Sequence, residues 1–388
     1  MKICHVITRL ILGGAQENTL LTCEGLHALG HDVTLVTGPA IGPEGELLTR
    51  AQAGGYRVIV LDEMRREINI RRDWTTYRKL VEIIGETQPD VVHTHSSKAG
   101  ILARRAAKYV RARSRDMAIV HTIHGLPFHP YQGRMLNGVY VALERQAARY
   151  TDAIISVADA MTRQALAAGV GRPEQYTTIY SGMDVAPYLT PTADAAGFRA
   201  ALHLPPDAVL VTQVSRLAEL KGHEFIIRAA SKVPDRRVHF CFVGDGNLRA
   251  KIEADITAAG LSERFHLTGL LPPEQIPAVM AATDILVHCS LREGLARTLP
   301  QAMLAGKPVI SYDVDGAGEV VTGRTGALLS PREIAGLRDA IIRLAGDADL
   351  RQTLGSAARE LCRERFDHNR MVEQIEAVYK RLVGQSGL

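Results

Sequence analysis

The chain has 388 residues, 46% hydrophobic and 23% charged, with a net charge of +4; this is a globular composition, long enough for two ordinary domains. Cys4, Cys23, Cys241, Cys289 and Cys362 are scattered without a CxxC pair, which argues against a zinc finger or a disulfide framework and suits a reducing, cytoplasmic compartment. The opening MKICHVIT runs straight into a strand-like segment with no signal peptide, and no apolar run approaches the length of a membrane span.

Short apolar runs alternate with longer helical patterns from the start. Strands are predicted at 2–7, 32–37, 57–61, 90–93, 118–122, 153–157 and 177–180, with helices at 15–29, 73–87, 99–111 and 135–150. The strand runs lack strict alternation, as expected when both faces of a parallel sheet are covered. Around 186–207 four prolines break the pattern, which reads as a linker with one short helix. Alternation then resumes, with strands predicted at 208–214, 238–243, 265–268, 284–288, 308–311 and 327–329. The fold class is therefore α/β, with two Rossmann-like doubly wound domains at 1–185 and 186–365. Residues 366–388 are predicted to form an amphipathic helix that packs back on the first domain.

The charge is unevenly placed. Residues 1–185 hold 22 Lys/Arg and 18 Asp/Glu, whereas the remainder holds 24 of each. The run KAGILARRAAKYVRARSR carries Lys98, Arg104, Arg105, Lys108, Arg111, Arg113 and Arg115 with no acid. A solvated helix face explains such a run; a surface for anionic lipid or a diphosphate is the alternative. At helical spacing Arg104, Lys108 and Arg111 share a face. Aromatic interleaving and nucleic-acid reader motifs are absent, so nucleic acid is not expected as a partner.

Neither a G-x-G-x-x-G fingerprint nor a Walker A sequence follows any predicted strand. Two such domains without either suggest a nucleotide held in the cleft between them. Four places suit an anionic ligand. Gly13-Gly14 lies between the first strand and first helix, where backbone can approach a phosphate. Arg216 and Lys221 follow the first strand of the second domain, at the carboxyl edge where open α/β sheets bind ligands. VGDG, containing Gly244, follows the next strand. The fourth is SLREGLARTLPQAMLAGKPVIS, residues 290–311. Locally, Thr298 and Gln301 read there as a capping box.

Together GGAQ, HTHSSKAG, HTIHG, IYSGMD, SRLAELKG, VGDG, LTGL and EGLARTLPQAMLAGKPVI, in this order and across the whole chain, resemble the retaining GT-B glycosyltransferases of family four (group 1). The resemblance implies a nucleoside-diphosphate sugar as substrate, with its diphosphate bound by Arg216, Lys221 and the Gly13–Gly14 backbone. It implies that Glu293 contacts donor-sugar hydroxyls, assisted by backbone at Gly294, Leu295, Ala296, Arg297 and Thr298. The backbone around Thr268, Gly269 and Leu270 would read the base, near Gly244, and His124 would lie near the donor sugar and reacting centre. The family pattern has two Glu residues with seven between; here the second, which usually accepts from the ribose, is Gln301. Gln keeps an acceptor oxygen but loses the charge. Ser181 replaces the usual Asn, and Leu220 stands where an acid often precedes the Lys.

His93, His95, His121, His124 and His129 form a dense group placed on strand ends. A metal site is possible in principle, but no carboxylate pattern supports it and the resembled family works without one, so neither metal nor cofactor is expected. The reading is transfer of a hexose or N-acetylhexosamine, from UDP most simply, to a glycan or polyprenyl-diphosphate-linked acceptor. Fixed cations and amides would stabilise the leaving diphosphate, and the protein would sit in the cytoplasm, peripheral to an anionic membrane face. A UDP-sugar 2-epimerase of the same architecture and a non-catalytic nucleotide-sugar-binding scaffold are the alternatives.

Overall fold

The computed structural model describes residues 1–41, 46–114, 116–190 and 194–385. The chain divides into two compact units, Met1–Met183 with Asp367–Leu388, and Asp184–Phe366.

The strands of unit 1 are β1 (Lys2–Ile7), β2 (Asp32–Thr37), β3 (Arg57–Val60), β4 (Val91–His95), β5 (Ala118–Ile123), β6 (Ala153–Ser156) and β7 (Tyr176–Thr178). They form one parallel sheet in the order β3-β2-β1-β4-β5-β6-β7. Helices α1 (Gly14–Ala28), α2 (Leu48–Ala53), α3 (Ile70–Thr87), α4 (Ser97–Arg111), α5 (Arg134–Ala148) and α6 (Asp159–Ala167) connect them. Strands β1, β2, β4, β5 and β6 are buried almost throughout, which is why their sequences are continuous apolar runs.

Unit 2 contains β8 (Val209–Val214), β9 (Val238–Val243), β10 (Phe265–Gly269), β11 (Ile285–His288), β12 (Val309–Tyr312) and β13 (Gly326–Leu329). Their parallel sheet runs β10-β9-β8-β11-β12-β13. Its helices are α7 (Ala186–Leu189), α8 (Asp194–Ala201), α9 (His223–Ala230), α10 (Arg249–Ala258), α11 (Ile276–Ala282), α12 (Thr298–Leu304), α13 (Ile334–Gly346) and α14 (Ala348–Arg365). The core is Val209, Val211, Phe240, Phe242, Ile285 and Val287 of the strands against Ile226, Ile252, Leu337 and Ile341 of the helices.

The last helix, α15 (His368–Gln385), belongs to unit 1. Its buried Met371, Val372, Ile375, Val378 and Tyr379 recur at helical spacing and join the core formed by β1, β2 and α1. His368 N–H donates to the Met183 carbonyl at 3.1 Å, which anchors its start.

Most element boundaries shift by one or two residues from the sequence reading, and two of the larger shifts have local reasons. Helix α3 starts at Ile70 rather than 73, because Asn69 caps it: its Oδ1 accepts from Arg72 N–H at 3.1 Å, and Asp73 Oδ2 accepts from Asn69 N–H. Strand β4 runs on to His95 because His95 pairs with Thr122 of β5. The predicted linker contains α7 and α8, the second rich in Ala.

Candidate active site

In unit 2 the strand order reverses between β8 and β11, so the loops at their carboxyl ends diverge and leave a place for a ligand. Several bonds nevertheless lock the two loops together at their bases. Leu291 N–H donates to the Leu220 carbonyl at 2.8 Å, and Ser290 Oγ donates to the same oxygen. Leu220 is left-handed at φ 64°, a conformation that costs a non-glycine residue of order 1–3 kcal/mol and persists only where surroundings over-determine it. Gly222 follows at φ 76°, and a Cβ there would lie 2.0 Å from the Cys289 carbonyl oxygen, so the close approach of the loops requires glycine.

This packing sets Lys221 against Glu293. The Lys221 ammonium donates to Glu293 Oε1, and His288 Nε2 lies 3.4 Å from the same oxygen. Glu293 N–H donates to Asp315 Oδ2 at 2.8 Å. Burial alone would raise the Glu293 pKa, but the Lys221 charge, helped by His288, holds it well below the usual carboxylate range. The carboxylate is thus an ionised acceptor, and both side chains of the pair retain about a fifth of their exposure (20% and 22%). Lys221 has three N–H donors, enough to hold Glu293 and a phosphate oxygen together. Arg216 is exposed on the same loop.

The neighbouring strand ends carry the remaining expected positions. Gly244 N–H donates to the Gly269 carbonyl at 2.9 Å, joining the ends of β9 and β10. Thr268 Oγ1 donates to that same carbonyl, and Leu270 projects into solvent. Gly294 and Leu295 are buried, with Gly316 N–H donating to the Gly294 carbonyl at 2.9 Å. Ala296, Arg297 and Thr298 are half-buried and lead into α12.

The capping box is not formed. Arg297, in a right-handed helical conformation, is the N-cap, and no side chain caps the helix. Thr298 already lies inside α12, and its buried Oγ1 meets no hydrogen-bond partner among the described residues. A capping side chain needs an extended N-cap backbone; here the turn from Gly294 enters the helix one residue early. Gln301 is half-buried one turn into α12.

In unit 1 the strand order reverses between β1 and β4. Gly13 and Gly14 are exposed at the start of α1, beyond the carboxyl end of β1. His124 follows β5 directly and is half-buried. Of the other histidines, only His95 ends a strand, at the carboxyl end of β4. His93 and His95 lie within β4 and His121 within β5, all buried, and His121 Nδ1 bonds Thr94 Oγ1 at 2.9 Å. His129 is half-buried, its backbone N–H donating to Asn137 Oδ1. His5, His93 and His95 bring one nitrogen each within 4.8 Å of the others, a spacing a metal could use. Both nitrogens of His93 are already engaged, however, by Tyr379 Oη and by Thr122 Oγ1 at 2.7 Å.

The basic run is also redistributed. Arg104 is fully buried, its Nη2 2.6 Å from Glu144 Oε2 and its Nε donating to the Gly100 carbonyl. It therefore does not share an exposed face with Lys108 and Arg111, because the small residues flanking it turn that side of α4 into the core. Lys98 pairs with Asp73, Arg111 with Asp152, Lys108 lies over the Tyr150 ring and Arg113 over Tyr109. Arg115 lies outside the described residues.

Three polar residues at these positions escaped the sequence reading. His288 ends a strand immediately before the Glu293 loop, which is the signal that could have found it. Asp315, in YDVDG, is 22 residues from Glu293, and only folding brings them together. His5 sits mid-strand with no local cue.

Residues 12–186 match the family described as Glycosyltransferase Family 4, and residues 195–361 match Glycosyl transferases group 1. The 2-deoxystreptamine glucosyltransferase of Streptomyces kanamyceticus is 30% identical over 76% of this chain and 78% of its own. The chain is a group 1, family 4 glycosyltransferase. This glycosyltransferase is also 26% identical to the UDP-Gal:alpha-D-GlcNAc-diphosphoundecaprenol alpha-1,3-galactosyltransferase of Escherichia coli, over 99% and 97% of the two chains. The crystal structure of Anabaena Alr3699/HepE with UDP-glucose superposes with a TM-score of 0.83 at 25% identity, covering 98% of this glycosyltransferase and 100% of that chain. The fold is GT-B.

Proposed function

We propose that this glycosyltransferase moves a hexose or N-acetylhexosamine, with retention, from a UDP-sugar to a hydroxyl of a glycan or polyprenyl-diphosphate-linked glycan. The observation that carries the reading is the Lys221–Glu293 pair at the strand-order reversal of unit 2: a cation for the leaving diphosphate beside an ionised acceptor for sugar hydroxyls. The UDP-glucose complex of the Anabaena protein and the lipid-linked acceptor in the name of the Escherichia coli relative support donor and acceptor class.

In this reading Arg216, Lys221 and the Gly13–Gly14 backbone take the diphosphate, Thr268–Leu270 and Gly244 the base, and Gln301 the ribose. His124 and the Gly294–Thr298 backbone face the sugar. The anomeric C–O bond breaks with its electron pair passing to the diphosphate. The acceptor oxygen bonds the anomeric carbon on the same face, and its proton passes to the leaving phosphate. Cations and amides at the leaving group supply the stabilisation, a role that otherwise falls to a metal, so turnover should persist in excess chelator. A 2-epimerase would need several carboxylates at the sugar, where this reading assigns one, Glu293; against a scaffold stands the assembled Lys221–Glu293 pair.

Membrane contact is part of the proposal, with its location changed. No helix of the described residues is long and apolar enough to cross a membrane. Met135, Val139 and Leu143 form an exposed apolar stripe on α5 at i, i+4, i+8, with Arg134 and Arg149 exposed at its ends. Ile68, Ile70 and Trp74 are exposed beside Arg66, Arg71 and Arg72. Apolar side chains flanked by arginines suit an anionic lipid interface.

The test is incubation of purified protein with UDP-hexoses and UDP-N-acetylhexosamines, with and without polyprenyl-diphosphate-linked acceptors. Mass spectrometry and NMR would read the product and its anomeric configuration. An inverted product refutes retention; epimerised donor or no product favours the alternatives. Absence of binding to anionic vesicles at low salt removes the membrane component.

A further inference from the structure

Unit 1 holds a line of imidazoles of which only the outermost, His124, has a role above. His5 Nδ1 lies 3.0 Å from His95 Nε2, and His95 Nδ1 lies 3.1 Å from His124 Nε2. The rings overlap in steps, with centroids 5.3 and 5.4 Å apart. His5 and His95 are fully buried at the β1–β4 reversal, whereas His124 stands half-buried past the end of β5. Two hydrogen bonds thus join three imidazoles in series, from the core outward. His93 braces the line from the side, with its ring 4.2 Å from that of His95 and its nitrogens tied to Tyr379 of α15 and Thr122.

Each neutral imidazole carries one N–H and one lone pair. Burial holds the pKa of His5 down to about 3 and that of His95 well below its ordinary value, so both are neutral. Only two proton arrangements then satisfy both bonds. In the outward one, His5 Nδ1–H donates to His95 Nε2, His95 Nδ1–H donates to His124 Nε2, and His124 carries its proton on Nδ1. In the inward one every donor reverses and His5 must carry its proton on Nε2. That nitrogen is buried with no hydrogen-bond partner among the described residues. Buried N–H donors are rarely orphaned, acceptors somewhat less rarely, so the outward arrangement is favoured.

From this geometry we infer that His95, and His5 behind it, are positioning residues that hold His124 as its Nδ1–H tautomer, so that Nδ1 is the ring's N–H donor and Nε2 its acceptor. The inference rests on the proposed function for the placement of His124 at the donor sugar. The tautomer itself does not depend on that placement.

The experiment is a long-range 1H–15N spectrum of protein labelled with 15N-histidine near neutral pH, with the His124 signals assigned by their loss in His124→Ala. The expected pattern for His124 is protonated Nδ1 and bare Nε2. In His95→Leu the pattern should shift toward Nε2–H, with kcat/KM for the donor falling on the order of tenfold, as for residues that orient a ligand through another. His95→Asn, whose amide NH2 stands in for Nδ1–H, should recover most of that loss. A wild-type His124 protonated on Nε2 overturns the inference. So does an unchanged pattern in His95→Leu, or a stoichiometric metal ion in the purified protein, which would take nitrogens used by the series. If the buried His95 variants fail to fold, the wild-type spectrum decides alone. Turnover of His124→Ala separately tests the underlying placement: full activity there, beside an Nδ1–H tautomer, rejects the donor-site reading and not the proton arrangement.

Discussion

The two sheets reverse strand order in the same way, yet the two reversals are chemically opposite. In unit 1 the β1–β4 reversal is filled by neutral, buried His5, His93 and His95, with His5 hydrogen-bonded to His95 and His93 to Tyr379 and Thr122. In unit 2 the β8–β11 reversal ends in loops bearing an ion pair that still reaches solvent. The excess charge of the chain is in the first unit, but much of its basic run is absorbed internally: Arg104 by Glu144, Lys98 by Asp73, Arg111 by Asp152. The second unit, close to neutral, holds Arg216 and Lys221, the charges proposed for a diphosphate. Density of charge along a sequence therefore says less about a ligand than whether a charge ends up at a strand terminus with donors to spare.

The sharpest way to break this contrast is to remove one cation from each unit. Arg104→Leu leaves Glu144 buried without its partner, and stability by denaturant titration should fall by about 3–5 kcal/mol. The double change Arg104→Leu with Glu144→Leu should recover much of it. An exposed-like cost below about 1 kcal/mol would show that the Arg104 pair is no more structural than a surface pair. In unit 2, Lys221→Ala and Arg216→Ala should leave folding nearly intact, because Glu293 and Arg216 reach water. Each should slow transfer by about 10²-fold or more, the usual consequence of deleting a fixed charge at a leaving group. Near-normal turnover in both would dissolve the assignment.

Acid sharpens the comparison next. His5 has a folded pKa of about 3 against an ordinary 6.5, so between those values the unfolded chain binds more protons. Stability should therefore fall as pH drops through that window, by up to about 1.4 kcal/mol per pH unit for His5 alone. His5→Leu should flatten the slope; an unaltered slope would mean that His5 protonates freely in the fold. Glu293 acts in the same direction but in a lower pH window. Its lowered pKa contributes stability present above the unfolded carboxylate value and lost only as pH falls through the folded one, below the usual carboxylate range. Glu293→Gln should change stability in that lower region rather than near pH 6.

The smallest effect is expected at Gln301. With no side-chain cap on α12, Gln301→Glu should leave stability unchanged, while donor affinity by calorimetry should tighten by up to about 1 kcal/mol if a carboxylate meets ribose hydroxyls. A stability change without an affinity change would return this residue to a helix-start role.

The local chemistry of the chain determined much. Continuous apolar strand runs, helical periodicity and the proline-rich break specified two parallel α/β sheets, since burial on both faces leaves that pattern wherever the strands lie. The ordered motifs located Arg216, Lys221 and Glu293 and marked the family, because βα-loop chemistry is local in sequence. Tertiary structure alone decided what depends on distant residues meeting. Thr298 became a helix interior residue rather than a cap because the preceding turn entered the helix early. Arg104 became a core residue because α5 brought Glu144 to it across 40 positions. His5, His95 and His124 became one hydrogen-bonded series because β1, β4 and β5 lie side by side, 90 and 29 residues apart along the chain. Periodicity tells which side of an element is apolar; the partner a buried polar group finds there is set by strand order, which no local pattern encodes.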